Sequence, residues 1–207
     1  MKSIIFDFDG VFGDTLEPVT EFLTKFSWKS KSKVRSDILK LLMSNRQETR
    51  LQRYFKDRLA LKLETYLVGY GNCLFEDRLK EVSQLQAPKA ILSNNYSFIC
   101  KRLLGSYTSL FDLIIGDGEA DTKVKGFELI FQNPKFAKSS TIFITDTVGD
   151  ILEARKVLRK NQIYGVSWGF HDSELLKSYL TPGHILTDFK KLTLIDSHKA
   201  VSSLSYA

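Results

Sequence analysis

Four aspartates lie in two short runs, and their placement allows chemistry. Asp7-Phe8-Asp9-Gly10 directly follows the apolar run Ser3–Phe6. Thr145-Asp146-Thr147-Val148-Gly149-Asp150 follows the apolar run Thr141–Ile144. Two carboxylates two residues apart on one rigid element can divide labour. One is an ionised nucleophile and the other keeps its proton as an acid. Gly10 then permits a sharp turn. Taken alone, Asp150 reads as a helix cap, since a helix N-terminus accommodates acids, and Asp146 as an ordinary loop acid. Taken together, the four need a common explanation. Converging hard oxygen ligands suit magnesium, which would offset their mutual repulsion.

A phosphate pocket can be assembled from two further segments. Ala90–Leu92 is apolar and ends in Ser93-Asn94-Asn95. A hydroxyl and free backbone N–H groups at a strand end can hold phosphate oxygens. Ser93 also reads as a cap for the next helix, and the two readings are compatible. Lys123 and Lys125 follow Gly118–Thr122. Either lysine would supply a point charge to nucleophile and phosphate, and either alone reads as solvated surface.

The elements that must position these groups alternate in kind. Short runs rich in Ile, Val and Phe occur at Ser3–Phe6, Ala90–Leu92, Leu113–Ile115, Thr141–Ile144 and Ile163–Val166, with His184–Leu186 as an edge candidate. These predict buried parallel strands. Amphipathic stretches between them, Tyr96–Leu104, Phe127–Phe131 and Val148–Lys160, predict helices. The fold class expected is α/β, a doubly wound, Rossmann-like parallel sheet. Between about Leu16 and Leu85 no strand pattern occurs. Apolar residues recur there at helical spacing, at Ile38, Leu41, Leu42, Leu51, Tyr54, Phe55 and Leu59, and Gly69 and Gly71 mark a turn. The expected division is a core at 1–15 and 86–207 and an all-helical cap domain at 16–85.

Composition closes off other classes. The chain has 207 residues and is 43% hydrophobic, enough for a domain core and a small second unit. No apolar run approaches a membrane span. Cys73 and Cys100 stand outside any metal-ligand spacing and are expected reduced and inert. The net charge of +6 and pI near 9.2 invite nucleic acid. The densest basic cluster, Trp28–Arg35, reads instead as a solvated loop and helix start. Trp168 and His171 read as packing. We expect a cytoplasmic protein with no nucleic-acid or membrane partner.

In this order and at these element ends, DFDGVFGDT at Asp7–Thr15, LSNN at Leu92–Asn95, a lysine near Lys123 and TDTVGD at Thr145–Asp150 resemble the haloacid dehalogenase superfamily of phosphohydrolases. Gly165–His171 is similar to its phosphoglycolate-phosphatase-like members. The resemblance implies that Asp7 becomes an aspartyl phosphate and that Asp9 is general acid and then base. It implies Mg2+ held by Asp7, Asp146, Asp150 and the Asp9 carbonyl, and phosphate held by Ser93 and Asn94. Gly10 joins that phosphate-binding set. In many relatives a proline follows the lysine; here Val124 follows Lys123 and Gly126 follows Lys125. We assign the catalytic lysine to Lys123, with Lys125 as the alternative. The implied activity is hydrolysis of a small phosphomonoester such as phosphoglycolate or a sugar phosphate. A phosphosugar mutase or a non-catalytic regulator of the same fold is the alternative.

Overall fold

The computed structural model describes residues 2–44, 50–71, 73–188 and 191–192. Six strands form one sheet: β1 (Ser3–Phe6), β2 (Lys89–Tyr96), β3 (Leu113–Asp117), β4 (Thr141–Thr145), β5 (Ile163–Val166) and β6 (Ile185–Leu186). Their order is β3-β2-β1-β4-β5-β6, and every neighbouring pair is parallel. β1 sits centrally between β2 and β4, so Asp7 and Asp146 leave adjacent strands at the same end of the sheet.

The alternation of side chains along a strand separates two apolar layers. Ile4 and Phe6 point to one face, with Ile91, Ile114, Ile142 and Ile144. Ile5 points to the other, with Ala90, Leu92 and Phe143. Helices α5 (Ser97–Leu104), α6 (Lys123–Phe131), α7 (Val148–Ala154) and α8 (Ser173–Lys177) cover these faces. Phe127 and Ile130 of α6 and Ile151 of α7 are fully buried against the Ile5 layer. Burial of each such side chain contributes about 1.5–3 kcal/mol.

Between β1 and β2 lie α1 (Leu16–Thr24), α2 (Lys31–Leu42), α3 (Arg50–Gly69) and α4 (Glu76–Ser83). The side chains of Leu51 and Phe55, expected on the apolar face of α3, lie outside the described residues. α1 packs on both α2 and α3, with Phe22 and Tyr66 rings 5.5 Å apart. α4 differs from the expected division at residue 85. Its Leu79 and Val82 are fully buried with Ile4, Phe6 and Ile91, in the sheet's own layer. Other boundaries moved less. β2 runs past Leu92 to Tyr96, with its register against β3 broken between those residues. α7 stops at Ala154 rather than Lys160. The end of α2 reaches the core: a Cβ on Gly149 would stand 2.6 Å from the Leu42 carbonyl oxygen. Only a residue without a side chain permits that approach. Among the described residues, no helix is long and apolar enough to cross a membrane.

Candidate active site

Asp7 follows β1 immediately and is 5% exposed. Its N–H donates to the Ile144 carbonyl at 2.8 Å, which fixes its backbone to β4. Its Oδ1 accepts from the Phe8 N–H at 2.8 Å and from Lys123 Nζ at 2.7 Å. Lys123 opens α6 behind the cap residue Thr122 and shares the buried face of that helix with Phe127 and Ile130. Its Nζ donates to the Leu92 carbonyl at 2.6 Å and stands 3.0 Å from Asp150 Oδ2. Lys125 points away, exposed, and pairs with Asp121 at 2.8 Å. The geometry therefore brings Lys123, and not Lys125, to the carboxylates.

Asp9 is held separately. Thr15 Oγ1 donates to its Oδ1 at 2.6 Å, and Ser93 Oγ to its Oδ2 at 3.3 Å. Gly10 turns the chain beside it with φ +73°, and a Cβ there would fall 1.8 Å from Asp146 Oδ2. Gly10 thus leaves room for Asp146. Asp146 accepts the Phe170 N–H on Oδ2 at 2.7 Å, while its buried Oδ1 has no hydrogen-bond partner. Asp150 lies in the first turn of α7, which Thr147 caps. Thr145 Oγ1 donates to its Oδ2 at 3.0 Å, and Asn94 Nδ2 to its Oδ1 at 3.2 Å.

The sequence reading assigned no part to Thr15, Thr145 or Phe170. Thr15 and Thr145 lie inside the quoted motifs, and their hydroxyls were the available signal. Nothing local marks Phe170, since it acts through its backbone. Trp168 and His171 pack, as expected: Trp168 Nε1 donates to the Val11 carbonyl at 3.4 Å, and His171 Nδ1 accepts the Val148 N–H at 3.0 Å. Cys73 and Cys100 are free and buried.

Four acids face one lysine, and their titration reflects it. Burial, then the neighbouring Asp150 charge, raises Asp7 well above the usual carboxylate range despite Lys123. Burial raises Asp9, with Thr15 opposing. Burial, then the charges of Asp150 and Asp9, pushes Asp146 up to about 8, although the Phe170 N–H works against the shift. Burial would raise Asp150 too, but Lys123 and a hydrogen bond with Asp7 outweigh it and lower it. The two carboxyls are thus pushed in opposite directions, Asp7 up and Asp150 down. Burial disfavours the Lys123 charge, yet Asp150 and Asp7 more than restore it.

Such a cluster fits a hard divalent cation in its donor chemistry. Asp7, Asp146 and Asp150 supply carboxylate oxygens, and Asp146 Oδ1 is a buried acceptor with nothing to accept from. The oxygens are not drawn together: among the described residues, no three acid, His or Cys groups converge as a ready metal site. Lys123 stands between Asp7 and Asp150 instead.

α3 of the helical insert docks beside this cluster. Arg53 Nη2 and Lys56 Nζ stand 2.6 and 2.5 Å from the two oxygens of Asp117, which is 5% exposed at the end of β3. Lys56 also donates to the Asn94 carbonyl at 3.3 Å, and Tyr96 hydrogen-bonds Asp57. Asn94 thus touches α3 through its backbone and Asp150 through its side chain.

The sequence profile of the haloacid dehalogenase-like hydrolases matches residues 4–160, from β1 to the end of the segment after α7. The chain belongs to this family. No curated protein matches it. Solved structures do, and at low identity they show the fold. The haloacid dehalogenase-like hydrolase SP0104 of Streptococcus pneumoniae is 20% identical, with 94% of this chain and 98% of that one covered and a TM-score of 0.63. A predicted phosphatase of Clostridium acetobutylicum is 20% identical over 98% and 99%, with a TM-score of 0.68. A CbbY variant of Rhodobacter sphaeroides, solved with xylulose-1,5-bisphosphate, is 14% identical over 93% and 96%, with a TM-score of 0.64. The profile of this haloacid dehalogenase-like hydrolase thus takes in Asp7, Asp9, Ser93, Lys123, Asp146 and Asp150 together.

Proposed function

We propose that this hydrolase is a magnesium-dependent phosphatase acting on a small phosphomonoester through an aspartyl-phosphate intermediate. The observation that carries the reading is Lys123 Nζ, buried between Asp7 and Asp150 while Asp9 is held apart by Thr15 and Ser93. Two carboxylates two residues apart thereby receive different partners and different roles.

Asp7, in its ionised form, attacks phosphorus with Oδ2, because Oδ1 is occupied by Phe8 and Lys123. The ester P–O bond breaks as the new Asp7–phosphorus bond forms. Asp9, whose affinity for a proton burial raises, gives its proton to the leaving oxygen. It then takes a proton from the water that hydrolyses the aspartyl phosphate, and phosphate departs. Ser93 and the Asn94 backbone, in the irregular part of β2, hold phosphate oxygens. Gly10 keeps the turn open beside them. Bound Mg2+, held by Asp7, Asp146, Asp150 and the Asp9 carbonyl, would offset the charge gathered on the carboxylates and phosphate.

We assign the cap role to α1–α3, seated over the strand ends, and leave α4 with the core on the strength of its packing. A seated cap favours a small enclosed substrate, a phosphoglycolate- or sugar-phosphate-like metabolite, over a polymer end. The xylulose-1,5-bisphosphate held by the Rhodobacter relative is of this size class.

The test is phosphate release across a panel of small phosphomonoesters with Mg2+. Chelation should abolish it and Mg2+ restore it, and turnover undiminished in excess chelator would overturn the proposal. Asp7→Asn should remove turnover on every ester. Asp9→Asn should spare activated aryl phosphates more than alkyl esters, because a good leaving group needs little protonation. Oligonucleotide end phosphates should react at least about tenfold less efficiently than the best metabolite.

A further inference from the structure

Arg78 occupies a place that its own helix does not favour. It lies in the first turn of α4, where the helix dipole opposes a cation. Its guanidinium stands over two rings instead, 3.8 Å from the centre of Phe75 and 4.3 Å from that of Trp168. The residue is half-buried, and its Nη1 is buried with no hydrogen-bond partner among the described residues. Aromatic faces rather than acceptors hold that end of the side chain, and such contacts strengthen where water is excluded.

Each ring belongs to a segment that borders the carboxylates. The Phe75 N–H donates to the Phe12 carbonyl at 2.8 Å, and the Asp14 N–H to the Cys73 carbonyl at 2.8 Å. The approach to α4 is thereby tied to the turn that follows Asp9. Trp168 reaches the same turn, through Nε1 on the Val11 carbonyl. The two residues after Trp168 lie directly against Asp146. A Cβ on Gly169 would stand 2.1 Å from Asp146 Cβ, and the Phe170 N–H donates to Asp146 Oδ2. A displaced Trp168 therefore moves the backbone that sets the Asp146 carboxylate, whose Oδ1 has no partner of its own.

We propose that Arg78 is a positioning residue for Asp146. Its stack on Phe75 and Trp168 clamps the backbone of residues 168–170 to the turn after Asp9, and that backbone fixes the carboxylate through the Phe170 N–H. The consequence for Mg2+ affinity rests on the function proposed above; the placement of Asp146 does not.

The experiment compares the full chain with Arg78→Leu, Trp168→Leu and the double variant, with circular dichroism confirming that each is folded. Amide hydrogen exchange is read by NMR in chelator. Arg78→Leu should lower the protection of the Phe170 amide at least about tenfold, while the Asp7 amide, bonded to Ile144, keeps its own. Trp168→Leu removes the same contact from the other side and should do the same, even where Arg78→Leu is too unstable to measure. The double variant should be no worse than either single one, because both act through one contact. Arg78→Lys, which keeps a cation over the rings, should recover part of the protection. Mg2+ titrated calorimetrically should bind at least about tenfold more weakly to Arg78→Leu than to the wild type. Full Phe170 protection in Arg78→Leu, an equal loss at Asp7, or additive losses in the double variant would each overturn the proposal. A wild type that binds no Mg2+ would overturn the proposed function instead, and the Phe170 exchange would still decide the role of Arg78.

Discussion

Two clusters of buried charge sit at the same end of the sheet, and they are built on opposite principles. Around Lys123, one cation serves four acids, and the lysine side chain is 1% exposed. Around Asp117, two cations serve one acid, and the Arg53 and Lys56 side chains are 32% exposed. In the first cluster charge is poorly compensated, so burial and neighbouring acids push Asp7 and Asp146 upward, and one oxygen of Asp146 has no partner. In the second, each oxygen of Asp117 lies at ion-pair distance from a cation that retains access to water, although Oδ2 closes no aligned hydrogen bond. A strut between two parts of a fold carries its counter-charges within it. A site that must receive a charged ligand is left unsatisfied until that ligand arrives.

The sharpest way to break this contrast is to remove the central cation. Lys123→Ala should cut turnover by about 100- to 1,000-fold. It should also destabilise the protein by about 3–5 kcal/mol at neutral pH, since Asp150 then stays buried and ionised without its partner. Lys125→Ala should change neither quantity. Chemical denaturation and steady-state kinetics on the two variants decide it, and equal effects from both would dissolve the distinction.

A second effect appears on titration. Asp146 binds its proton more tightly in the folded chain than in the unfolded one. Its contribution to stability is therefore complete below the ordinary carboxylate pKa near 4 and lost as pH rises through about 8. Thermal melts in chelator from acid to mild alkali should show a falling Tm over that window. Asp146→Asn should flatten part of the fall while abolishing Mg2+-dependent turnover. A Tm that rises with pH in the chelated wild type would contradict the charge imbalance.

The smallest effect belongs to the second cluster. Asp117→Asn should cost on the order of 1 kcal/mol, because Arg53 and Lys56 can return to water. KM should rise a few-fold as α3 seats less firmly, with kcat near that of the wild type. A stability loss matching that of Lys123→Ala would place both clusters in one category.

Much of this was legible in the sequence, for identifiable reasons. The apolar strands announce themselves through β-branched runs, so the positions of Asp7 and Asp146 at strand ends followed directly. The choice between Lys123 and Lys125 was open because both lie in one helical turn. The spacing of Lys123, Phe127 and Ile130 puts that lysine on the apolar face, a signal the start assigned to the helix, near Phe127, concealed. α4 was read with the insert because its amphipathic pattern matches the other helices; which partner receives an apolar face is a tertiary matter. Asp117 could not be found, since its cations lie more than sixty residues upstream and nothing in the intervening chain fixes where α3 docks.

Gly149 turns the seating of the insert into something that can be tuned. The Leu42 carbonyl rests where a side chain at that position would begin, beside the first turn of the helix that carries Asp150. Replacing the hydrogen by methyl, hydroxymethyl and isopropyl would pry the two parts of the molecule apart in graded increments at a single point. Such an allelic series would act as a mechanical dial, reading how far turnover and substrate choice depend on the gap, while leaving every carboxylate in place.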